Sequence, residues 1–146
     1  MAGTVTVTSM SNPYAQGGEN KVVVDWLSAA GGNADGALCS TFAAAQLATY
    51  GYASPQPSKF RGKLVKVETS PGTNGAKAAA LPTAGYDITL TTSYGTDVTD
   101  NYLADRSGTL SEDWVPVTPV AVDDDLTLNI ANAGAAARGR VILHFE

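Results

Sequence analysis

One cysteine and one histidine are all that this 146-residue chain brings to thiol and imidazole chemistry. With Cys39 alone, no intramolecular disulfide can form. A lone cysteine in such a sequence reads as a small buried side chain, not as a nucleophile. With His144 alone, a histidine-rich metal site is excluded, and any Ser–His–acid triad has to be built on that residue. His144 is out of phase with Val141, Leu143 and Phe145, so the expectation is a surface or interface residue. The chain has no G-x-S-x-G, no P-loop and no G-x-G-x-x-G. Charge is also scarce, with 16% charged residues against the ~25% of ordinary globular domains. No window approaches the ~20 apolar residues of a membrane span. The opening MAGTVTVTS lacks the basic and apolar segments of a signal peptide. The expectation is therefore a chain kept in a cytosol or released by lysis, without a membrane partner.

The length fits one domain, and the 44% hydrophobic content is enough for a core. Few charges among many small and β-branched residues suit a protein that buries surface against copies or partners. The net charge of −5 argues against general nucleic-acid binding. The charges are unevenly placed. Lys59, Arg61, Lys63, Lys66 and Lys77 are five of the nine basic residues, while Asp87 to Asp125 holds nine acids and only Arg106 as a base. Such a distribution reads either as two solvated faces or as complementary patches that steer assembly.

Hydrophobic alternation recurs along the chain. TVTVT at 4–8, KVVVDWLS at 21–28, RGKLVKVET at 61–69, YDITL at 86–90, LTLNI at 126–130 and RGRVILHF at 138–145 all read as strands. Residues 38–42 add a further short strand. VPVTPVAV at 115–122 carries Pro116 and Pro119, which donate nothing to a ladder, so it is an edge strand or extended connector. Residues 41–51 form the one expected helix, with Thr41 as N-cap and Gly51 as terminator. Residues 29–36, AAGGNADG, read as flexible turn. The fold expectation is all-β: an antiparallel β-sandwich or jelly-roll of about eight strands with at most one short helix. Residues 1–20 are expected as an N-terminal strand and polar arm, and 21–146 as a single β-sandwich domain.

Few residues suggest chemistry. Asp123-Asp124-Asp125 carry oxygens that suit calcium, but adjacent acids alternate in direction, and a polar turn that discourages edge pairing is the simpler reading. Asp97, Asp100 and Asp105 are a second weak cation candidate. Asp105-Arg106 reads as a source of local hydrogen bonds that set a loop. Trp26 and Tyr86 fall on strands and read as core. Tyr94 and Tyr102 fall near loops and read as contact residues. Trp26, Trp114 and the six tyrosines also raise the prospect of a sugar-binding cleft.

The ordered segments KVVVDW, GKLVKVETSPG, YDITL…YGTDV…LADRS, LTLNIANAG and RGRVILHF resemble capsid decoration (cement) proteins and related minor head proteins of tailed bacteriophages. The resemblance covers about Lys21 to Phe145. It implies a non-enzymatic virion structural protein made in the bacterial host cytoplasm and placed on the capsid exterior. It further implies a homodimer or homotrimer that bridges subunits of the major capsid protein, with no cofactor and no nucleic acid. On this reading the capsid or subunit interface uses Tyr14, Lys59, Arg61, Lys63, Lys66, Tyr94, Tyr102, Asp105 and Arg106, drawn from segments 12–18, 59–66 and 94–106. The alternatives are a carbohydrate- or receptor-binding β-sandwich module, a head–tail or tail structural protein, and a hydrolase with an unrecognised site.

Overall fold

The computed structural model describes residues 3–10, 20–41, 59–72 and 80–146. Alternating apolar side chains build nine strands among these residues. They are β1 (Thr4–Met10), β2 (Asn20–Leu27), β3 (Ala34–Ala37), β4 (Phe60–Pro71), β5 (Asp87–Thr91), β6 (Glu112–Trp114), β7 (Val120–Asp124), β8 (Thr127–Ala131) and β9 (Arg138–Phe145). A single helical turn, α1 (Leu38–Thr41), follows β3.

The strands form two antiparallel sheets, and the chain is an all-β sandwich. The six-stranded sheet runs β1-β2-β9-β4-β6, with β7 also paired to β4, and the three-stranded sheet runs β3-β8-β5. The period of two sends Val22, Val24 and Trp26 inward from β2 and Val141, Leu143 and Phe145 inward from β9. From the smaller sheet, Ile88, Leu90, Leu128 and Ile130 meet them in one core. Trp26 and Tyr86 join the two sheets directly, with ring centroids 5.5 Å apart.

Two expectations change. The short strand expected at 38–42 is replaced over its described part by α1, which occupies Leu38–Thr41 and turns two buried side chains, Leu38 and Cys39, into the core. The flexible turn expected at 29–36 gives way at Ala34, where β3 begins and pairs with β8 from Ala34↔Ile130 to Ala37↔Thr127. An Ala-Asp-Gly-Ala sequence has poor strand propensity, so this strand is held by its partner's backbone and by burial of Ala34. The helix expected over 41–51 lies outside the described residues except for Thr41, the last described residue of α1.

Strand β1 is part of the main sheet, paired with β2 from Thr4↔Leu27 to Met10↔Val22 across a bulge between Val7 and Ser9. Its Val5 and Val7 belong to the core. Among the described residues, no helix is long and apolar enough to cross a membrane.

Candidate interaction surface

Leu64 of β4 pairs with Phe145 of β9 on one side and Val120 of β7 on the other. Val67 pairs likewise with Leu143 of β9 and Trp114 of β6. Strands β6 and β7 therefore occupy the same edge of β4, one after the other. Only Val65 and Lys66 separate their partners on β4, yet residues 115–119 separate the two strands. The excess chain has to leave the sheet. Pro116 and Pro119 favour this exit because neither has a backbone N–H to return to the ladder. The loop carries Val115 and Val117 into solvent, with Val117 fully exposed.

A second loop reaches this edge from the smaller sheet. Residues 92–106 fold back along the open side of β5 and satisfy its backbone. Ile88 N–H donates to the Leu103 carbonyl (3.1 Å), Val98 N–H to that of Leu90 (2.9 Å) and Arg106 N–H to that of Tyr86 (2.7 Å). The Asp97 carboxylate is the organiser. It accepts from the N–H groups of Leu90 (3.1 Å), Thr99 (3.1 Å) and Asn101 (2.9 Å) and from the Thr99 hydroxyl (2.8 Å). Asp100, Asn101 and Asp105 take left-handed backbone conformations, which Asp and Asn tolerate better than other non-glycine residues. The Arg106 guanidinium clamps the exit of the loop through the Tyr102 and Ala104 carbonyls (each 3.1 Å). Asp105 N–H donates to Asp87 Oδ1 (3.0 Å). The expectation that Asp105 and Arg106 set a loop is met.

This loop lays Tyr102 over Trp114, with centroids 5.9 Å apart and planes inclined by 18°. The stacked pair walls a groove of about 360 Å³. Val98, Val120, Val115, Pro116 and Val117 line the rest of it, and Asp100 is its one charged lining residue. Sequence reasoning named Tyr102 as a contact residue, Trp114 only among the aromatics of a possible sugar cleft, and 115–122 as an edge strand or connector, and did not bring the three together. The signal was present as a tryptophan followed by valines alternating with prolines, a pattern that an edge can expose and an interior strand cannot.

The remaining expected contact residues divide. Tyr94 tips the turn closed by Gly95 N–H to the Thr92 carbonyl and is 92% exposed. Gly95 takes φ of 82°, which glycine adopts without strain. Asp124 ties this turn to β7, accepting from Ser93 N–H (3.1 Å) and the Ser93 hydroxyl (2.7 Å). Those bonds, led by the hydroxyl, hold the Asp124 carboxyl below its usual range.

The basic strip on β4 meets acids of its own chain. Lys59 and Arg61 share Asp123 (3.2 and 3.4 Å), and Lys66 pairs with Glu68 (3.2 Å) and Asp113 (3.7 Å). Lys63 is exposed. The two charge-biased segments are thus brought together within one molecule, because β6 and β7 are the neighbours of β4. Tyr14 lies outside the described residues, as do segment 12–18 and Lys77.

Three acid–base candidates have structural roles. His144 is buried, a correction to the expected surface position. Its strand β9 is central, so Lys21 and Lys66 flank it by register on both sides. Its Nε2 lies 2.9 Å from Glu68 Oε2. That hydrogen bond, helped by Lys66, lowers the Glu68 carboxyl below its ordinary value. Cys39 is buried, and burial together with Asp125 pushes its thiol up, away from the reactive thiolate. The three successive acids do three different tasks: Asp123 pairs with bases, Asp124 holds the Ser93 turn, and Asp125 accepts from the N–H groups of Cys39 (3.1 Å) and Leu126 (2.8 Å). Among the described residues, no group of three or more His, Cys, Asp or Glu side chains is placed to hold a metal ion.

Compared with known proteins, the chain matches no family model, no curated protein and no solved structure.

Proposed function

We propose that this chain is a non-enzymatic virion structural protein. It decorates the exterior of an icosahedral bacteriophage shell and stabilises it by bridging subunits of the major capsid protein. The observation that carries this reading is the apolar edge made by the exposed Tyr102, Val115 and Val117 with the half-buried Trp114. A contiguous exposed apolar patch marks an interaction site. Tyrosine and tryptophan are also the residue types enriched where protein surfaces meet. The ordered resemblance from Lys21 to Phe145 supplies the kind of partner.

The mechanism is binding, not turnover. Each copy contributes modest contacts, and repetition by the symmetry of the shell turns these into avidity. A homodimer or homotrimer suits a two-fold or three-fold position. Tyr94, at the tip of its turn, extends the same flank of the molecule, and the exposed Lys63 with the paired Lys59 and Arg61 gives a charged counterpart along β4.

The test is co-sedimentation of the purified chain with expanded, undecorated heads of the parent phage. Saturable binding at a symmetry-related number of copies per head supports decoration. A folded chain that stays in the supernatant, or that is absent from purified virions, overturns it. Replacing Arg61 and Lys63 by Glu places new acids beside Asp123 and weakens attachment more at low salt than at high salt. The reason is that exposed charges are screened beyond about 10 Å at 0.1 M. Equal binding of this variant at low salt removes the electrostatic part of the proposal.

A further inference from the structure

The groove at the β6–β7 edge has one charged lining residue, Asp100, amid valines, a proline and a stacked aromatic pair. That lining discriminates between ligand classes. A sugar presents many hydroxyls and needs several fixed polar partners. Here the walls are aliphatic on one side and aromatic on the other. An apolar side chain fits such walls, as in most concave recognition sites, where a few polar groups only fix orientation.

The charge points to the rest of the occupant. Asp100 is an exposed acid that lines the groove. Two nearby cations are engaged, Arg106 with Glu112 and two backbone carbonyls, and Lys66 with Glu68 and Asp113. The groove therefore presents a carboxylate next to an exposed tyrosine ring, and that combination attracts an ammonium or guanidinium group through charge and through the ring face. Pro116 and Pro119 in the loop beside the groove have no backbone N–H to offer, so recognition there rests on side chains.

We propose that this groove docks an extended apolar peptide carrying one lysine or arginine. Its aliphatic or proline side chain packs between Val115, Val117 and Trp114, and its cation rests over Tyr102 against Asp100. This deepens the decoration reading and rests on it for the source of the peptide, a segment of the shell protein.

The experiment is fluorescence anisotropy of the intact chain with fluorescein-labelled heptapeptides of sequence Gly-Pro-Val-Lys-Pro-Leu-Gly and the same sequence with Glu in place of Lys. Maltohexaose serves as competitor. Saturable binding of the lysine peptide is expected, with the glutamate peptide about tenfold weaker or more. Asp100→Asn narrows that gap, and raising the salt narrows it too, because the pair is exposed. Tyr102→Ala loses about tenfold for the lysine peptide, a loss on the scale of one cation–π contact plus its packing. Val117→Ser provides a variant that cannot disturb the core, since Val117 is fully exposed, and it weakens binding likewise. Failure of both peptides to bind, equal affinity for the two, or displacement of the peptide by maltohexaose overturns the proposal. The outcomes separate from those of the decoration reading. Peptide binding without sedimentation on heads sinks only the shell assignment. Sedimentation that survives Tyr102→Ala and Val117→Ser sinks only the groove.

Discussion

Gly139 of β9 stands directly opposite Trp26 of β2, and the absence of a side chain at Gly139 is what makes room for the indole. The two are register partners, and a Cβ built on Gly139 would clash with the Cζ2, Cε2 and Nε1 atoms of the Trp26 ring. The ring cannot retreat, because its other side meets Tyr86 in the core. Overpacking of this kind costs about 1–3 kcal/mol. Gly139→Ala is expected to lower the urea midpoint accordingly. Trp26 Nε1 finds no hydrogen-bond partner among the described residues. Trp26→Phe removes that buried donor and part of the clash, so the double variant should lose less than the sum of the single losses. Additive losses in denaturation would show that the two residues do not share one space.

Asp97 is expected to control the loop that builds the groove. Its carboxylate receives three backbone N–H groups and one hydroxyl. Asp97→Ala leaves those donors to find water or go unpaired, at about 1–3 kcal/mol for the buried ones. Faster amide exchange at Leu90 and Asn101, with β9 amides unchanged relative to global stability, is the expected signature. Uniform change across the chain would mean that the loop and the core open together.

Acid should weaken the fold through Glu68. Its pKa in the folded chain is lowered, chiefly by the His144 hydrogen bond. A depressed carboxyl contributes stability that is fully present above its unfolded value. That contribution is lost as pH falls through the folded value. The loss begins below the ordinary glutamate pKa of 4.5. Glu68→Gln should therefore flatten the slope of unfolding free energy against pH below that point. An unchanged acid slope in the variant would assign the acid limb to other groups, with Asp124 the next to test.

Cys39 should resist thiol reagents until the protein unfolds. It is buried, and burial and Asp125 both disfavour the thiolate. Titration with a coloured disulfide reagent at neutral pH is expected to label nothing in the native chain and one equivalent in urea. Rapid native labelling would mean that α1 opens readily.

The core strands were legible in the sequence because the period of two is a local property. TVTVT, YDITL, LTLNI and RGRVILHF announce both the strand and its buried face before any partner is known, and the observed burial of Val5, Ile88, Leu128 and Leu143 follows that phase. Glycine and asparagine turns were legible for the same reason. Strand β3 was not, since Ala-Asp-Gly-Ala has little intrinsic preference and is a strand only by pairing with β8.

Parity alone put His144 on the outward side of β9, while the structure buries it there, flanked by register by Lys21 and Lys66 and bonded to Glu68. The basic strip and the acid-rich segment looked like separate patches until strand order set β4 beside β6 and β7. Tyr102 and Trp114 stack because one loop seals β5 and another buds from the edge of β4. What the sequence by itself determined is therefore the core strands with strict alternation, their inward faces and the edge or connector character of 115–122. The tertiary structure decided which side chains meet, because strand order and edge position depend on pairings between residues far apart in the chain, and no local periodicity encodes these.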